Sequence, residues 1–263
     1  MRDGFSPAAE PRIAKRMAKA SKPRKRPAKG KAKAKPRKRS LKRWVLRRAA
    51  LVLLIPFAVL LLLVLIYSVF DPPTTHTIWS EERRLGHDVD RQWIGIEEIS
   101  PAAVRAVVAA EDANYCLHWG FDVNAIRLAL EDGAQRGGST ISQQTVKNVF
   151  LWQGRSWLRK SLEALITPLA EAVWSKRRML EIYLNLAEFG EGIFGVEAAS
   201  HHYFGKPPGD LTPMQGALLA AVLPNPKERS ASNPASWLRK RAAAIADGGA
   251  TIKVDGRADC FED

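Results

Sequence analysis

Residues 137–148 read GGSTISQQTVKN, a glycine pair followed by a polar segment with helical spacing. The polar side chains on one helical face are Thr140, Gln143, Gln144, Lys147 and Asn148. A glycine turn before a helix N-terminus exposes main-chain N–H groups to an anion, and nearby hydroxyl, amide and ammonium groups add to that attraction. The segment therefore predicts a helix, opened by Ser139 or Thr140, that binds a group such as a diphosphate. A plain solvated face is the alternative.

A second polar segment, residues 111–120, reads EDANYCLHWG and follows the apolar helical residues 107–110. A carboxylate at the end of such a helix is partly removed from water, which raises its pKa toward values useful in proton transfer. Glu111 is therefore a candidate general base. Position alone also allows an acidic pair, Glu111 and Asp112, that faces water.

Two charged segments follow. Residues 159–163 read RKSLE, and Arg159 and Lys160 lie four and three residues before Glu163, so the three side chains meet on one helix surface. Taken alone, this pattern is typical of an ordinary ion pair. Residues 176–185 read KRRMLEIYLN, and the polar stripe formed there by Glu181 and Asn185 is equally typical of hydrogen-bonded structure.

Helix signals recur from residue 100 onward, whereas no run of residues alternates between apolar and polar. The predicted helix starts are Ser100-Pro101, Asp122, Ser156, Thr212-Pro213 and Asn233-Pro234. Pro168 is expected to kink the helix over residues 156–175, and Gly248-Gly249 to end the last helix. The sequence predicts a compact, mainly α domain.

The net charge of +14 comes from one end of the chain. Residues 1–48 hold 20 basic side chains against Asp3 and Glu10, whereas the rest of the chain holds 21 basic and 25 acidic side chains. The tail has too few apolar residues to form a core, so we expect it to be disordered. A slightly acidic folded part argues against a nucleic-acid-binding domain, and leaves adhesion to anionic lipid as the simplest role of the tail.

Residues 49–70 form an uncharged apolar run of a length that fits a transmembrane helix. A cleaved signal peptide is the alternative, but its apolar core is usually only about 7–15 residues long. The basic residues before the run predict a cytoplasmic N-terminus, with residues 71–263 outside. There, Cys116 and Cys260 could pair, although we expect Cys116 to pack as a small apolar side chain.

In this order, the four polar segments resemble the glycosyltransferase domain of class A penicillin-binding proteins, and above all the monofunctional biosynthetic peptidoglycan transglycosylases. The first motif of that family is matched by Glu111, Asp112, His118 and Gly120, with Tyr115 in place of the usual Phe. Residues 137–148 match the second motif at every fixed position. Residues 159–163 match the third motif and residues 176–185 the fourth, and the runs GVEAA and YFGK at 195–199 and 203–206 match the fifth.

The resemblance implies a lysozyme-like, two-lobed helical domain behind a single N-terminal transmembrane helix. It implies that the substrate is lipid II, a disaccharide-pentapeptide on a polyprenyl diphosphate, which is added to a growing glycan strand. Glu111 and Glu163 would be catalytic, the first as the base and the second at the diphosphate end. The implied substrate-binding residues are Ser139, Thr140, Gln143, Gln144, Lys147, Asn148, Arg159, Lys160 and Lys176. The residues implied to support the motifs are Asp112, His118, Gly120, Glu181 and Asn185.

The predicted organisation is a basic cytoplasmic tail (1–48), a transmembrane helix (49–70), a connector (71–94), the catalytic domain (95–248) and a C-terminal tail (249–263). No cofactor is expected to be essential, although a divalent cation such as Mg or Mn is compatible with the diphosphate end. Other cell-wall synthesis proteins are candidate partners. A transpeptidase step is not expected, because the sequence contains neither Ser-x-x-Lys nor Lys-Thr-Gly. The alternatives are a lytic glycan-cleaving enzyme and a membrane-anchored binding protein without activity.

Overall fold

A computed structural model describes residues 41–131, 138–154 and 156–262. The predicted disordered tail up to residue 40, and Gly137, lie outside the described residues. The chain divides into two units, residues 1–50 and 51–263. The helices of the described part are α1 (Leu41–Tyr67), α2 (His76–Leu85), α3 (Pro101–Glu111), α4 (Val123–Glu131), α5 (Ile141–Phe150), α6 (Trp157–Val173), α7 (Lys176–Leu186), α8 (Val196–Phe204), α9 (Pro213–Val222), α10 (Ser236–Val254) and α11 (Asp259–Glu262).

The described residues also form three short strands: β1 (Asp90–Arg91), β2 (Glu188–Gly190) and β3 (Ile193–Phe194). The central strand β3 pairs in parallel with β1 and antiparallel with β2. Because each strand has only two or three residues, the sheet joins segments of the chain and forms no layer of its own. The predicted mainly α fold is confirmed.

Most predicted helix starts are confirmed by side chains that cap the first turn. Thr140 and Thr212 each accept a hydrogen bond from the main chain three residues on, and a glutamine at that third position completes a capping box. Ser156 caps α6 by accepting a hydrogen bond from the main chain of Arg159. Asp122 accepts a hydrogen bond from the main chain of Ala125 at 2.8 Å. Ser100 precedes α3 as predicted, but its side chain makes no capping bond.

The core of the domain consists of two clusters of buried side chains. One is built on α3, α9 and α10 and includes Val107, Leu219 and Ala242. The other is built on α5, α6 and α7. At the centre of the first cluster, a Cβ on Gly216 would lie 2.5 Å from Cα of Ala103, so glycine is needed for α9 to approach α3 this closely. Helix α7 contributes buried side chains to both clusters and so connects them.

The apolar helix near the N-terminus is confirmed, with bounds that differ from the predicted ones. Within α1, Arg43–Tyr67 is long and apolar enough to cross a membrane. Its last turns are held by the domain: Val64 is fully buried, and the indole N–H of Trp174 donates to the carbonyl of Val64 at 2.7 Å. The segment predicted as a connector contains α2 and β1.

The predicted end of the last helix at Gly248-Gly249 is wrong, because α10 continues through both glycines to Val254. A Cβ on Gly249 would lie 3.3 Å from the main-chain nitrogen of Ala106. The glycine therefore lets α10 pack closely against α3. Beyond α10, Phe261 is only 1% exposed, so this C-terminal segment is part of the packed structure.

The expectation that Cys116 packs as an unpaired apolar side chain is also wrong. Cys116 and Cys260 form a disulfide, with their Cα atoms 5.6 Å apart and a sequence separation of 144. The bond joins the short segment after α3 to α11.

Candidate active site

Glu111 is the last residue of α3, and its side chain reaches a cavity at the end of that helix. The Nε2 amide of Gln144, on α5, donates to Glu111 Oε2 at 2.9 Å. The hydroxyl of Tyr183 in turn donates to Gln144 Oε1 at 3.2 Å. Burial raises the pKa of Glu111, while the bond from Gln144 and the positive charges of Arg241 and Lys147 lower it; burial is the largest of these effects. A carboxylate with a raised pKa is suited to accepting a proton.

The next residue, Asp112, joins the segment after Glu111 to the start of α5. Its buried carboxylate lies 2.9 Å from the ring nitrogen Nε2 of His118 and accepts a hydrogen bond from the main chain of Ile141 at 3.0 Å. Because Ile141 is the first residue of α5, its main-chain N–H has no partner within the helix, and the carboxylate of Asp112 supplies one. Asp112 and His118 thus fix the distance between Glu111 and α5.

Gly120 and Thr140 make a second connection between the same two segments. The Thr140 hydroxyl donates to the carbonyl of Gly120 at 2.7 Å. Gly120 has a φ of +83°, and a Cβ there would lie 2.8 Å from the methyl carbon of Thr167. Both the left-handed backbone and the lack of space require glycine at this position.

The predicted binding face of α5 is only partly exposed to the cavity. Ser139, Gln144 and Lys147 line it, whereas Thr140 and Gln143 are both 3% exposed and bond to each other in the capping box. Asn148 is also buried. The structure thus does not bring Thr140, Gln143 and Asn148 to the cavity, because their side chains hold the local structure together.

Glu163 also lines the cavity and has a cation on each oxygen. Arg159 Nη1 lies 2.9 Å from Oε2, and Lys160 Nζ pairs with Oε1. Lys160 also donates to the hydroxyl of Ser139 at 3.0 Å. Glu163 is only 2% exposed, so the carboxylate holds both cations at the cavity wall.

The cavity has a volume of about 660 Å³ and is lined by residues of α3, α5, α6 and α10. Its charged side chains are Glu111, Glu163, Lys147, Arg159, Lys160, Arg229 and Arg241. Five cations against two carboxylates make it suitable for an anionic ligand. Sequence reasoning missed Arg229 and Arg241, because tertiary packing brings them here and no local pattern marks them among the many arginines of the chain.

Lys176, predicted to bind substrate, does not line this cavity. Its ammonium group lies 2.9 Å from the buried carboxylate of Glu171 and 4.5 Å from the centre of the Tyr115 ring. Ser142 bonds to the same oxygen of Glu171. Lys176 thus belongs to a buried network that connects α5, α6 and α7.

Glu181 and Asn185 also act inside the fold, as expected of residues that support the motifs. Asn185 is fully buried, accepts a hydrogen bond from the main chain of Ile94 at 3.0 Å and donates to its carbonyl at 2.9 Å. Glu181 accepts from the main chain of Ile96 at 3.2 Å. Together they hold the segment that leads into α3.

Comparisons with known proteins agree with this geometry. Residues 79–248 match the sequence family described as Transglycosylase. A biosynthetic peptidoglycan transglycosylase of Jannaschia sp. is 55% identical over 222 residues, which cover 84% of this chain and 91% of the relative. A protein of the same name from Rhodospirillum centenum is 46% identical, over 83% of this chain and 96% of the relative. Another from Caulobacter vibrioides is 44% identical, over 75% of this chain and 87% of the relative. The chain therefore belongs to the transglycosylase family.

Proposed function

We propose that this peptidoglycan glycosyltransferase polymerises lipid II, with Glu111 as the general base. The observation that carries the proposal is a cavity lined both by a partly desolvated carboxylate and by a group of cations. Transfer of a sugar from a lipid diphosphate needs both: a base for the attacking hydroxyl and positive charge for the leaving group.

In the proposed reaction, Glu111 takes the proton from the 4-hydroxyl of the acceptor sugar. The hydroxyl oxygen attacks the anomeric carbon of the donor, the bond from that carbon to the lipid diphosphate breaks, and the configuration inverts. The diphosphate leaves with the electron pair of the broken bond. Each turnover thus lengthens the glycan by one disaccharide and releases one polyprenyl diphosphate.

The cations of the cavity stabilise the departing diphosphate. Lys147, Arg159 and Lys160 supply the charge, and Glu163 holds the last two in place through its two oxygens. Fixed charges of this kind act without reorganisation at the moment of reaction. Glu163 therefore acts at the diphosphate end by positioning the groups that bind it.

The side chains at this end do not form a metal site of their own. Both oxygens of Glu163 already bind cations, and the described residues contain no group of three His, Cys, Asp or Glu side chains that could hold a metal ion.

The domain is proposed to face the outside of the cytoplasmic membrane, anchored by α1. The basic residues before α1 favour a cytoplasmic N-terminus. The disulfide between Cys116 and Cys260 supports this orientation, because such bonds persist in oxidising compartments.

The test is a polymerisation assay with purified full-length protein and lipid II in detergent. The wild type should yield long glycan, and Glu111→Gln should lose roughly 10²-fold or more of the rate, since general-base help contributes about 10²–10⁴-fold. Glu191→Gln is the matched control, because Glu191 does not line the cavity. Shortening of preformed glycan without polymer would indicate a lytic enzyme instead, and no turnover of either kind would indicate a binding protein.

A further inference from the structure

The segment after α10, residues 255–262, packs against the chain directly after Glu111. The family match ends at residue 248, so this segment lies outside the part of the chain that the family description covers. It does not line the cavity of Glu111. Any effect that it has on the reaction must therefore pass through the residues it touches.

A disulfide and a hydrogen bond tie this segment to residues 113–116. Cys260 is bonded to Cys116. Arg257 donates from Nη1 to the carbonyl of Ala113 at 3.0 Å, and Asp255 orients the guanidinium by accepting from its Nη2 at 2.7 Å. Ala113 is only two residues beyond Glu111.

Apolar and ionic contacts lie around the disulfide and the bond from Arg257 to Ala113. Phe261 is 1% exposed, and its ring centre lies 6.4 Å from that of Tyr115. Arg177, on α7, donates to the carbonyl of Phe261 at 2.9 Å. Arg105, on the helix that ends at Glu111, forms an ion pair with Glu262. The segment therefore contacts α3, the residues that follow it, and α7.

We propose that residues 255–262 form a C-terminal clamp that positions Glu111 for proton transfer, with the disulfide between Cys116 and Cys260 securing it. The inference rests on the proposed function. Asp112 holds one side of the segment after α3 through Ile141, and the clamp holds the other side through Ala113 and Cys116. Misplacement of a reacting group by about 1 Å can cost about 10²-fold in rate. The clamp therefore raises turnover by holding the segment after Glu111 in place.

The test compares full-length Arg257→Ala and the double variant Cys116→Ser/Cys260→Ser with the wild type, well below their unfolding temperatures. Loss of the clamp should lower kcat about tenfold and leave KM for lipid II within about twofold, because no clamp residue lines the cavity. Loss of the clamp should also let water reach Glu111. Because burial raises the pKa of Glu111, that pKa should then fall, and the acid limb of the rate profile should move to lower pH. Arg239→Ala is the matched control: Arg239 also donates to a main-chain carbonyl, that of Pro234, away from this segment.

A second measurement avoids variants that fail to fold. Dithiothreitol reduces the disulfide of the folded wild type to two thiols and is itself oxidised to its cyclic disulfide; alkylation of the thiols then counts the reduced molecules. The rate should fall in proportion to the fraction of reduced molecules. It should reach about a tenth of the starting rate when every molecule is reduced. Unchanged kcat and an unchanged pH profile, with only a lower unfolding temperature, would show that the segment merely stabilises the fold. A wild type unable to polymerise lipid II would instead overturn the proposed function itself.

Discussion

The Nε2 amide of Gln144 donates to Oε2 of Glu111 at 2.9 Å, and the other carboxylate oxygen, Oε1, has no hydrogen bond to any residue that the structure describes. The bond fixes the plane of the carboxylate, because the hydroxyl of Tyr183 holds Gln144 from its other side. One oxygen of Glu111 is thus anchored, and the second remains available to accept a proton from substrate.

Replacing Gln144 should therefore change the pH dependence of the reaction. The hydrogen bond from Gln144 lowers the pKa of Glu111, against the larger effect of burial that raises it. In Gln144→Leu the pKa should rise further, so the acid limb of the kcat/KM profile should move to higher pH. A base must be deprotonated, so activity at low pH should fall most. An acid limb at the wild-type pH would contradict this role of Gln144.

The raised pKa of Glu111 also predicts that this ionised carboxylate opposes folding. An acid whose pKa is higher in the folded state binds its proton more tightly there, so the stability it contributes is present at low pH and is lost as the pH rises through the folded pKa. Glu111→Gln cannot ionise and should unfold at a higher temperature than the wild type at neutral pH.

Calorimetry at two pH values checks this prediction. The difference in unfolding temperature should shrink as the pH approaches the ordinary pKa of a glutamate, about 4.3. Glu191→Gln, an exposed control on the turn between β2 and β3, should show no such gain. Equal unfolding temperatures for Glu111→Gln and wild type at neutral pH would show that the cavity solvates the carboxylate fully.

Lys147 is the cation of the cavity that should matter most to the chemical step. It makes no hydrogen bond or ion pair with a side chain in the described ranges, and desolvation is the main effect that lowers its pKa. Glu163 and Glu111 attract its charge without a direct bond, so all the N–H donors of the ammonium group are available to the departing diphosphate. Lys147→Met should lower kcat by roughly 10²–10³-fold, the usual cost of losing one fixed donor to developing charge.

The control for Lys147→Met is Lys240→Met on the exposed side of α10, which should retain wild-type activity. Single-turnover rates separate the chemical step from binding. A loss in Lys147→Met that falls entirely on KM would assign this lysine to ground-state binding alone.

The sequence predicted helix starts well because they depend on neighbouring residues. Thr140 with Gln143, and Thr212 with Gln215, are capping boxes that three positions of sequence suffice to define. The position of Glu111 at the end of an apolar helix, where burial raises its pKa, was also predictable, since that position is a local feature. The disulfide was not predictable in this way, because its partners lie 144 residues apart.

The composition of the cavity wall was predicted less well. A polar helical face was expected to bind ligand as a whole, yet Gln143 and Asn148 on α5 are buried, whereas Arg229 and Arg241 reach the cavity from distant parts of the chain. Buried polar groups must be hydrogen-bonded within the protein, so polarity alone does not separate side chains that bind a ligand from those that hold a helix end. That distinction is set by tertiary packing.

Lys176 tests this distinction directly, since the sequence predicts a substrate-binding residue and the structure shows a buried partner of Glu171. Lys176→Met leaves that carboxylate without its counterion, and breaking a buried pair in this way costs about 3–5 kcal/mol. The free energy of unfolding should fall by that amount, while KM for lipid II stays within about twofold of the wild type. The double variant Lys176→Met/Glu171→Gln, which removes both charges, should recover much of the stability. A KM raised tenfold or more in a variant that remains folded would return Lys176 to the substrate site.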